Sequence, residues 1–292
     1  MLNSDATRDQ ELSFICYGEL LWDLFPEGAQ LGGSSANVAV NLLRLGAHPW
    51  LVSRVGCDEL GTAAIRELQS IGIDTTLIQR DTVAPTGQVA VTLTRGEPRF
   101  TIASESAWDR IEVQSRHFDL LARSAGFIFG TLAQRTPMVK EALRDLLSAR
   151  PASCRTLCDL NLRPPHYDKQ VVDQALRLAD VVKLNESELE HVATLLGTDT
   201  PVTALFDGYP LSMIAVTRAE RGCTLFTRSE RIDHAGFPLL SGEGDAVGAG
   251  DAFTAALAVE LAKGTSVLSM AHKANELARR VASARGGFGF VA

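Results

Sequence analysis

Towards its C-terminal end the chain carries Asp245-Ala246-Val247-Gly248-Ala249-Gly250-Asp251-Ala252-Phe253, and the small, apolar run Thr254 to Ala262 follows directly. A run without a polar face reads as a helix buried on all sides. Two glycines ahead of a helix let the backbone turn sharply and come close to a ligand. The free N–H groups of the first helical turn point outward, and the helix dipole adds partial positive charge. Together they suit a phosphate or a developing anion. A carboxylate, Asp251, stands beside that cradle. Next to a site that only bound phosphate it would be out of place; it fits if it takes a proton from a hydroxyl attacking the phosphate.

Two common glycine-rich phosphate sites do not match. A dinucleotide fingerprint would need a third glycine where Phe253 stands, and a P-loop would need Gly-Lys-Ser/Thr. The formal net charge of -7 argues against nonspecific nucleic-acid binding, which needs a basic face. Five cysteines with no Cys-x-x-Cys pair make a zinc site or a disulfide framework improbable and fit a reducing cytoplasm. Cys154 and Cys158 are expected on one side of a strand as small hydrophobes. No signal peptide or membrane span is read, which gives the expectation of a soluble cytoplasmic protein.

Elsewhere the chain alternates strand and helix patterns. Leu12–Gly18 reads as a buried first strand. Leu31-Gly32-Gly33-Ser34-Ser35-Ala36-Asn37 opens a helix with Ser34 or Ser35 as its cap and Val38, Leu42 and Leu45 on its buried face. A strand is expected from Pro49 to Gly56, with a helix after it to Leu68. The period then changes to two: Gln88–Thr94 and Arg99–Ile102 read as a β-hairpin. From about Ile111 the α/β alternation resumes, with strands at Ala125–Gly130, Thr156–Leu160, Asp180–Leu184 and Leu211–Thr217, a returning strand at Gly222–Thr227, and a last helix Val267–Ala284. Polar residues gather where these strands end, which is where open α/β proteins place ligands. Pro164-Pro165 is expected to hold Asp159, Asn161 and Arg163 extended.

The string ending in Asp251 resembles the Asp-Thr-x-Gly-Ala-Gly-Asp signature of the ribokinase-like (PfkB) sugar kinases, with Ala246 departing from the usual small hydroxyl residue or proline. A second family signature is matched by Gly32, Gly33, Asn37, Gly46 and Gly56. The resemblance spans roughly Leu12 to Gly289. It implies a mostly parallel central sheet flanked by helices with a small β-sheet lid: one α/β kinase domain over 1–292, the lid built from insertions at about 22–34 and 82–110. A lid would keep bulk water from the transferred group. Phe100 and Trp108 are then candidates for the sugar, a partner subunit or ordinary lid core, and a homodimer through the lid is one implied assembly.

The resemblance also implies roles. Asp251 would be the catalytic base, with the amides of Gly248, Ala249 and Gly250 as anion hole. Asp23, Gly32, Gly33, Asn37 and Arg163 would meet the sugar, Arg163 also the transferred phosphate. Lys183, Asn185, Thr217, Gly222 and Asn275 would lie along ATP. Asn185 and Glu188 would order Mg²⁺ through water, and Asp245, Val247 and the Arg285–Gly289 loop would hold a monovalent cation such as K⁺. Read without the resemblance, Asp23 is equally a solvated loop carboxylate, Asn37 a local cap, Arg163 half of a surface ion pair, and Asn185 with Glu188 a capping box. The expected function is ATP-dependent phosphorylation of a primary hydroxyl on a small sugar. Gly18-Glu19, Asp159–Arg163 and Gly96–Phe100 look more like fructokinases than ribokinases, so fructose leads. A 2-keto-3-deoxygluconate kinase is the nearest alternative, and a nucleoside kinase ranks below it. Two readings from other classes remain: a non-catalytic sugar- or nucleotide-sensing module, against which the intact Asp251 argues, and a dinucleotide-dependent oxidoreductase, against which the missing glycine argues.

Overall fold

The strand at the start of the chain faces two cores at once. In β1 (Ser13–Tyr17), Phe14 and Cys16 enter one hydrophobic cluster while Ile15 and Tyr17 enter another. Successive side chains of a strand point to opposite faces, so such a strand needs helices on both sides of its sheet. The computed structural model describes residues 12–26, 28–94, 97–239 and 247–284. In it, β1 is followed by β2 (Leu21–Phe25), β3 (Gly28–Gly32), α1 (Ser34–Arg44), β4 (His48–Gly56), α2 (Glu59–Ser70) and β5 (Ile78–Asp81). Next come β6 (Gly87–Thr94), β7 (Glu97–Ile102), α3 (Ser115–Leu121), β8 (Gly126–Gly130), α4 (Pro137–Ser148), β9 (Arg155–Asp159) and α5 (Lys169–Leu178). The remainder is β10 (Val181–Asn185), α6 (Glu186–Leu196), α7 (Pro201–Gly208), β11 (Met213–Thr217), β12 (Cys223–Thr227), β13 (Arg231–His234), α8 (Ala249–Lys263) and α9 (Val267–Ala282).

Nine strands form the main sheet in the order β13-β12-β11-β10-β9-β8-β1-β4-β5. From β11 to β5 every pairing is parallel, and only β12 and β13 return antiparallel. The chain starts in the interior of the sheet, winds outward to β4 and β5, then crosses to β8 and winds the other way. A reversal of this kind leaves a crevice beside β1 at the strand C-terminal ends. One face of the sheet is covered by α1, α2, α8 and α9, the other by α4, α5 and α6. Cys154 and Cys158 lie in the same cluster, on the second face, and all five cysteines are free. Among the described residues no helix is long and apolar enough to cross a membrane.

A separate four-stranded sheet, ordered β3-β2-β6-β7, stands beside the crevice. Its β6–β7 hairpin is the one expected from the sequence, but β7 starts two residues earlier, at Glu97, and the register runs from Val89 opposite Ile102 to Thr94 opposite Glu97. It is tied to the body in two places. Trp22 donates from its indole N–H to the Leu60 carbonyl of α2 at 3.0 Å. At the exit from β7, Arg135 pairs with Asp109 and donates to the Ala103 carbonyl at 2.8 Å, its guanidinium 4.0 Å from the ring centre of the fully buried Trp108. Trp108 is therefore core. Phe100 lies where only the backbone is described.

Two local expectations change. Neither Ser34 nor Ser35 caps α1: the N-cap is Gly33, at φ 104, and the Ser34 amide is taken by the Glu19 carboxylate instead. A Cβ on Gly33 would collide with the Glu19 carbonyl oxygen, so the turn requires glycine for space as well as for φ. The segment after β9 is not wholly extended either, because Asn161 takes a left-handed conformation at φ 39. Asparagine tolerates this better than most residues. Pro164–Pro165 is a cis peptide.

Candidate active site

Helix α8 begins at the crevice and runs inward, buried continuously from Asp251 to Val259. Gly248, at φ 79, turns the chain into it, and the first intrahelical bond of its N-terminal turn runs from the Ala252 amide to the Gly248 carbonyl at 2.9 Å. The amides of Ala249, Gly250 and Asp251 therefore have no partner within the helix. Gly250 itself is helical. A Cβ there would stand 2.9 Å from Lys183 Nζ.

Asp251 is 8% exposed, and α1 grips both of its oxygens: Ser34 Oγ donates to Oδ1 at 2.6 Å and Asn37 Nδ2 to Oδ2 at 2.7 Å. Serine and asparagine three apart share one face of a helical turn, which lets a single element hold the whole carboxylate. Burial raises the Asp251 pKa, as does the Asp159 charge. The two hydrogen bonds and the Lys183 charge pull the other way, and the net is a rise. A carboxylate held this way can still accept a proton from a hydroxyl presented in the cleft, and its raised pKa makes it a better acceptor than an exposed aspartate.

Beneath the α8 terminus Lys183 pairs with Asp159 at 3.0 Å, and Thr254 Oγ donates to the same Asp159 oxygen at 2.9 Å. Burial alone would depress the Lys183 ammonium, but the Asp159 and Glu188 charges outweigh it and its pKa rises. A fixed positive charge thus lies under the free amides of α8.

The cleft in front of Asp251 measures about 370 Å³. Asp23 enters it from β2, packed against the Cα of Gly32 on the neighbouring strand β3, so that a Cβ on Gly32 would strike its carboxylate. Burial lifts the Asp23 pKa to about 6 against the lowering effect of the Arg163 charge. Arg163 lies across the same cleft, and among the described residues its guanidinium is in no ion pair. Leu21, Val89 and Ile102 of the small sheet supply apolar wall. Glu19, which the sequence did not single out as a site residue, is 4% exposed on the floor. Its Oε1 accepts the Ser34 N–H at 3.1 Å, and burial raises its pKa to about 7.

The remaining candidates lie along the neighbouring strand ends. Asn185 and Glu188 form a reciprocal capping box on α6: Glu188 N–H donates to Asn185 Oδ1 at 2.9 Å, and Asn185 N–H to Glu188 Oε2 at 2.8 Å. Glu188 Oε1 also accepts the Leu162 amide at 2.7 Å. With each of these oxygens already accepting a backbone bond, the pair suits a magnesium ion held through water, the ion's usual habit, better than direct ligation. Thr217 pairs with Asn185 in the parallel β10–β11 ladder. Gly222, at φ 82, packs its Cα against the end of β13. Asn275 is turned inward, donating to the Ala271 carbonyl at 2.7 Å and to Cys223 Sγ at 3.1 Å. Val247 borders the cleft. Asp245 and the Arg285–Gly289 loop lie outside the described residues.

A doubly wound sheet, a buried aspartate at a glycine-turned helix start and a small sheet beside the cleft make up the candidate site, and comparison with known proteins specifies the class. The model of the pfkB family carbohydrate kinases matches residues 7–288. The chain belongs to that family and is a carbohydrate kinase. Fructokinase of Escherichia coli is 32% identical over 256 residues, an alignment covering 82% of this chain and 81% of that protein. The crystal structure of an uncharacterized sugar kinase from Pyrococcus horikoshii in complex with ATP superposes with a TM-score of 0.81 at 27% identity, covering 95% of this chain and 94% of that one. The structure of fructokinase from Xylella fastidiosa with bound ATP gives a TM-score of 0.83 over 94% of each chain; at 24% identity it shows the shared fold.

Proposed function

We propose that this ATP-dependent kinase phosphorylates a primary hydroxyl of a small sugar, with fructose as the preferred acceptor, and that Asp251 is its base. The observation that carries the proposal is the Asp251 carboxylate, buried at the first turn of α8, held by Ser34 and Asn37, and open to the cleft between the unpaired amides of that turn and Asp23. In this reading the acceptor hydroxyl attacks the γ-phosphorus as its proton passes to an Asp251 oxygen. The bond from the γ-phosphorus to the bridging oxygen breaks, and ADP leaves. The Ala249 and Gly250 amides receive the charge that builds on the transferring group, a contribution worth about 3–4 kcal/mol per donor in other enzymes. Lys183 and Arg163 add positive charge beside it. Magnesium, held by Asn185 and Glu188 through water, would neutralise the nucleotide phosphates when bound.

Asp23, Gly32, Gly33 and Asn37 are proposed as the sugar wall, and Thr217, Gly222 and Asn275 as the nucleotide side. The small sheet is proposed as a lid on a single kinase domain, and Asp245 with Val247 as the position of a monovalent cation. Fructose leads because fructokinases recur among the relatives. Arg163, in no ion pair among the described residues, supports one rival, since a guanidinium in the cleft could hold the carboxylate of a keto-sugar acid. A coupled assay of ADP release over fructose, ribose, glucose, 2-keto-3-deoxygluconate and nucleosides tests the proposal. The expected result is the highest kcat/KM with fructose. Turnover confined to the sugar acid would move the assignment to that class, and no sugar-dependent turnover would sink the catalytic reading.

A further inference from the structure

Among the described residues Glu19 has no charged partner at hydrogen-bond distance, although it lies almost wholly inside the protein. Burying a carboxylate is costly, so its retention calls for a reason. Three observations supply one. Its Oε1 accepts the Ser34 N–H, the first amide of α1, at 3.1 Å. Its own backbone carbonyl fills the space a side chain on Gly33 would take. And the turn of α1 that it secures is the one from which Ser34 and Asn37 grip Asp251. A line of contacts therefore runs from Glu19 through the Ser34 backbone and hydroxyl to Asp251 Oδ1.

We propose that Glu19 is a positioning residue for phosphoryl transfer: it fixes the start of α1 so that Ser34 and Asn37 hold Asp251 in line with the acceptor hydroxyl. The proposal rests on the reading of Asp251 as the base. Capping a helix start with an acceptor is ordinary; here the capped turn carries both ligands of a proposed reactive group, so an error in its placement passes directly to that group. Displacements of about 1 Å cost such reactions roughly 10²-fold. Burial and the Asp251 charge together hold Glu19 protonated up to about pH 7 against the Arg163 charge, so below that pH it meets the Ser34 amide as a neutral acceptor.

The test compares Glu19→Gln and Glu19→Ala with the full-length enzyme, with Asp251→Asn as a separate control on the base. Glutamine keeps an acceptor for the Ser34 amide and removes the charge. Glu19→Gln is expected to retain kcat within about tenfold, because glutamine still accepts the Ser34 N–H and keeps the start of α1 in place. Glu19→Ala is expected to lose about 10–100-fold in kcat with ATP KM unchanged. If Glu19→Ala keeps kcat but raises sugar KM, Glu19 is a sugar ligand and the proposal is overturned. If both variants only lower thermal stability, with kcat unmoved, the role is structural and the proposal is equally overturned. A fully active Asp251→Asn would instead overturn the base assignment, whatever the Glu19 variants do.

Discussion

Around the cleft, single residues are set by burial more than by charge partners. Glu19, raised to about 7, and Asp23, raised to about 6, both hold protons in the folded chain that they would release unfolded. Such groups contribute stability that is full below their ordinary pKa values and is lost as pH rises through the folded ones. The melting temperature of the unliganded enzyme should therefore fall from about pH 4 to about pH 7, and a Glu19→Gln, Asp23→Asn double variant should fall less over the same range. Equal slopes for the two proteins would show that neither group carries the shift. Gly250 makes a different demand. A valine there would press on Lys183 Nζ, which its ion pair with Asp159 holds in place. Gly250→Val should cut turnover by more than about 10²-fold in a folded protein; near-normal turnover would remove the anion hole from the account. Asp251 and its glycines were legible in the sequence because turn chemistry is local. Glu19 was legible only within the Gly18-Glu19 resemblance and not as a site residue, since its partner lies fifteen residues on. Ser34 was misassigned for a related reason: its hydroxyl reaches across to α8 instead of capping its own helix.

Among the elements, those with strong periodicity were legible close to their ends, as with α9, read as Val267–Ala284 and found as Val267–Ala282. The missed ones lack the signal that sequence reading uses. Helix α7 buries a single residue, Leu205, too little to produce a period. Strand β13 carries Arg231, Asp233 and His234 at the sheet margin with no fully buried position, so it reads as loop. Charged edge strands of this kind discourage pairing with other chains. The small sheet was legible as a hairpin, whereas its parallel joint between β2 and β6 is long-range and left no local trace. If that sheet closes over the sugar, its apolar wall should matter to binding. Ile102→Ala should raise sugar KM by about tenfold with ATP KM unchanged. An unchanged sugar KM would place Ile102 outside the acceptor site.

At the scale of the whole molecule, the double winding of the sheet brings the two ends of the chain to one crevice, joining Ser34 and Asn37 to Asp251 across more than two hundred residues. The order of strands across the sheet could not be read from local pattern; the family resemblance and the rules for parallel connections implied only a mostly parallel sheet between helices. A cation near Val247 would act at this scale by ordering the α8 entry. Rates in potassium should then exceed rates in tetramethylammonium at equal ionic strength, and equal rates would remove the cation from the proposal. The central claim is that Asp251 takes the proton. Asp251→Asn keeps size and removes basicity, so kcat should fall about 10²–10⁴-fold. ATP affinity measured by calorimetry on the same folded sample should stay the same or tighten slightly, since a negative charge near the triphosphate is gone. A fall in kcat of less than about tenfold, or a loss of ATP binding in step with turnover, would contradict the account.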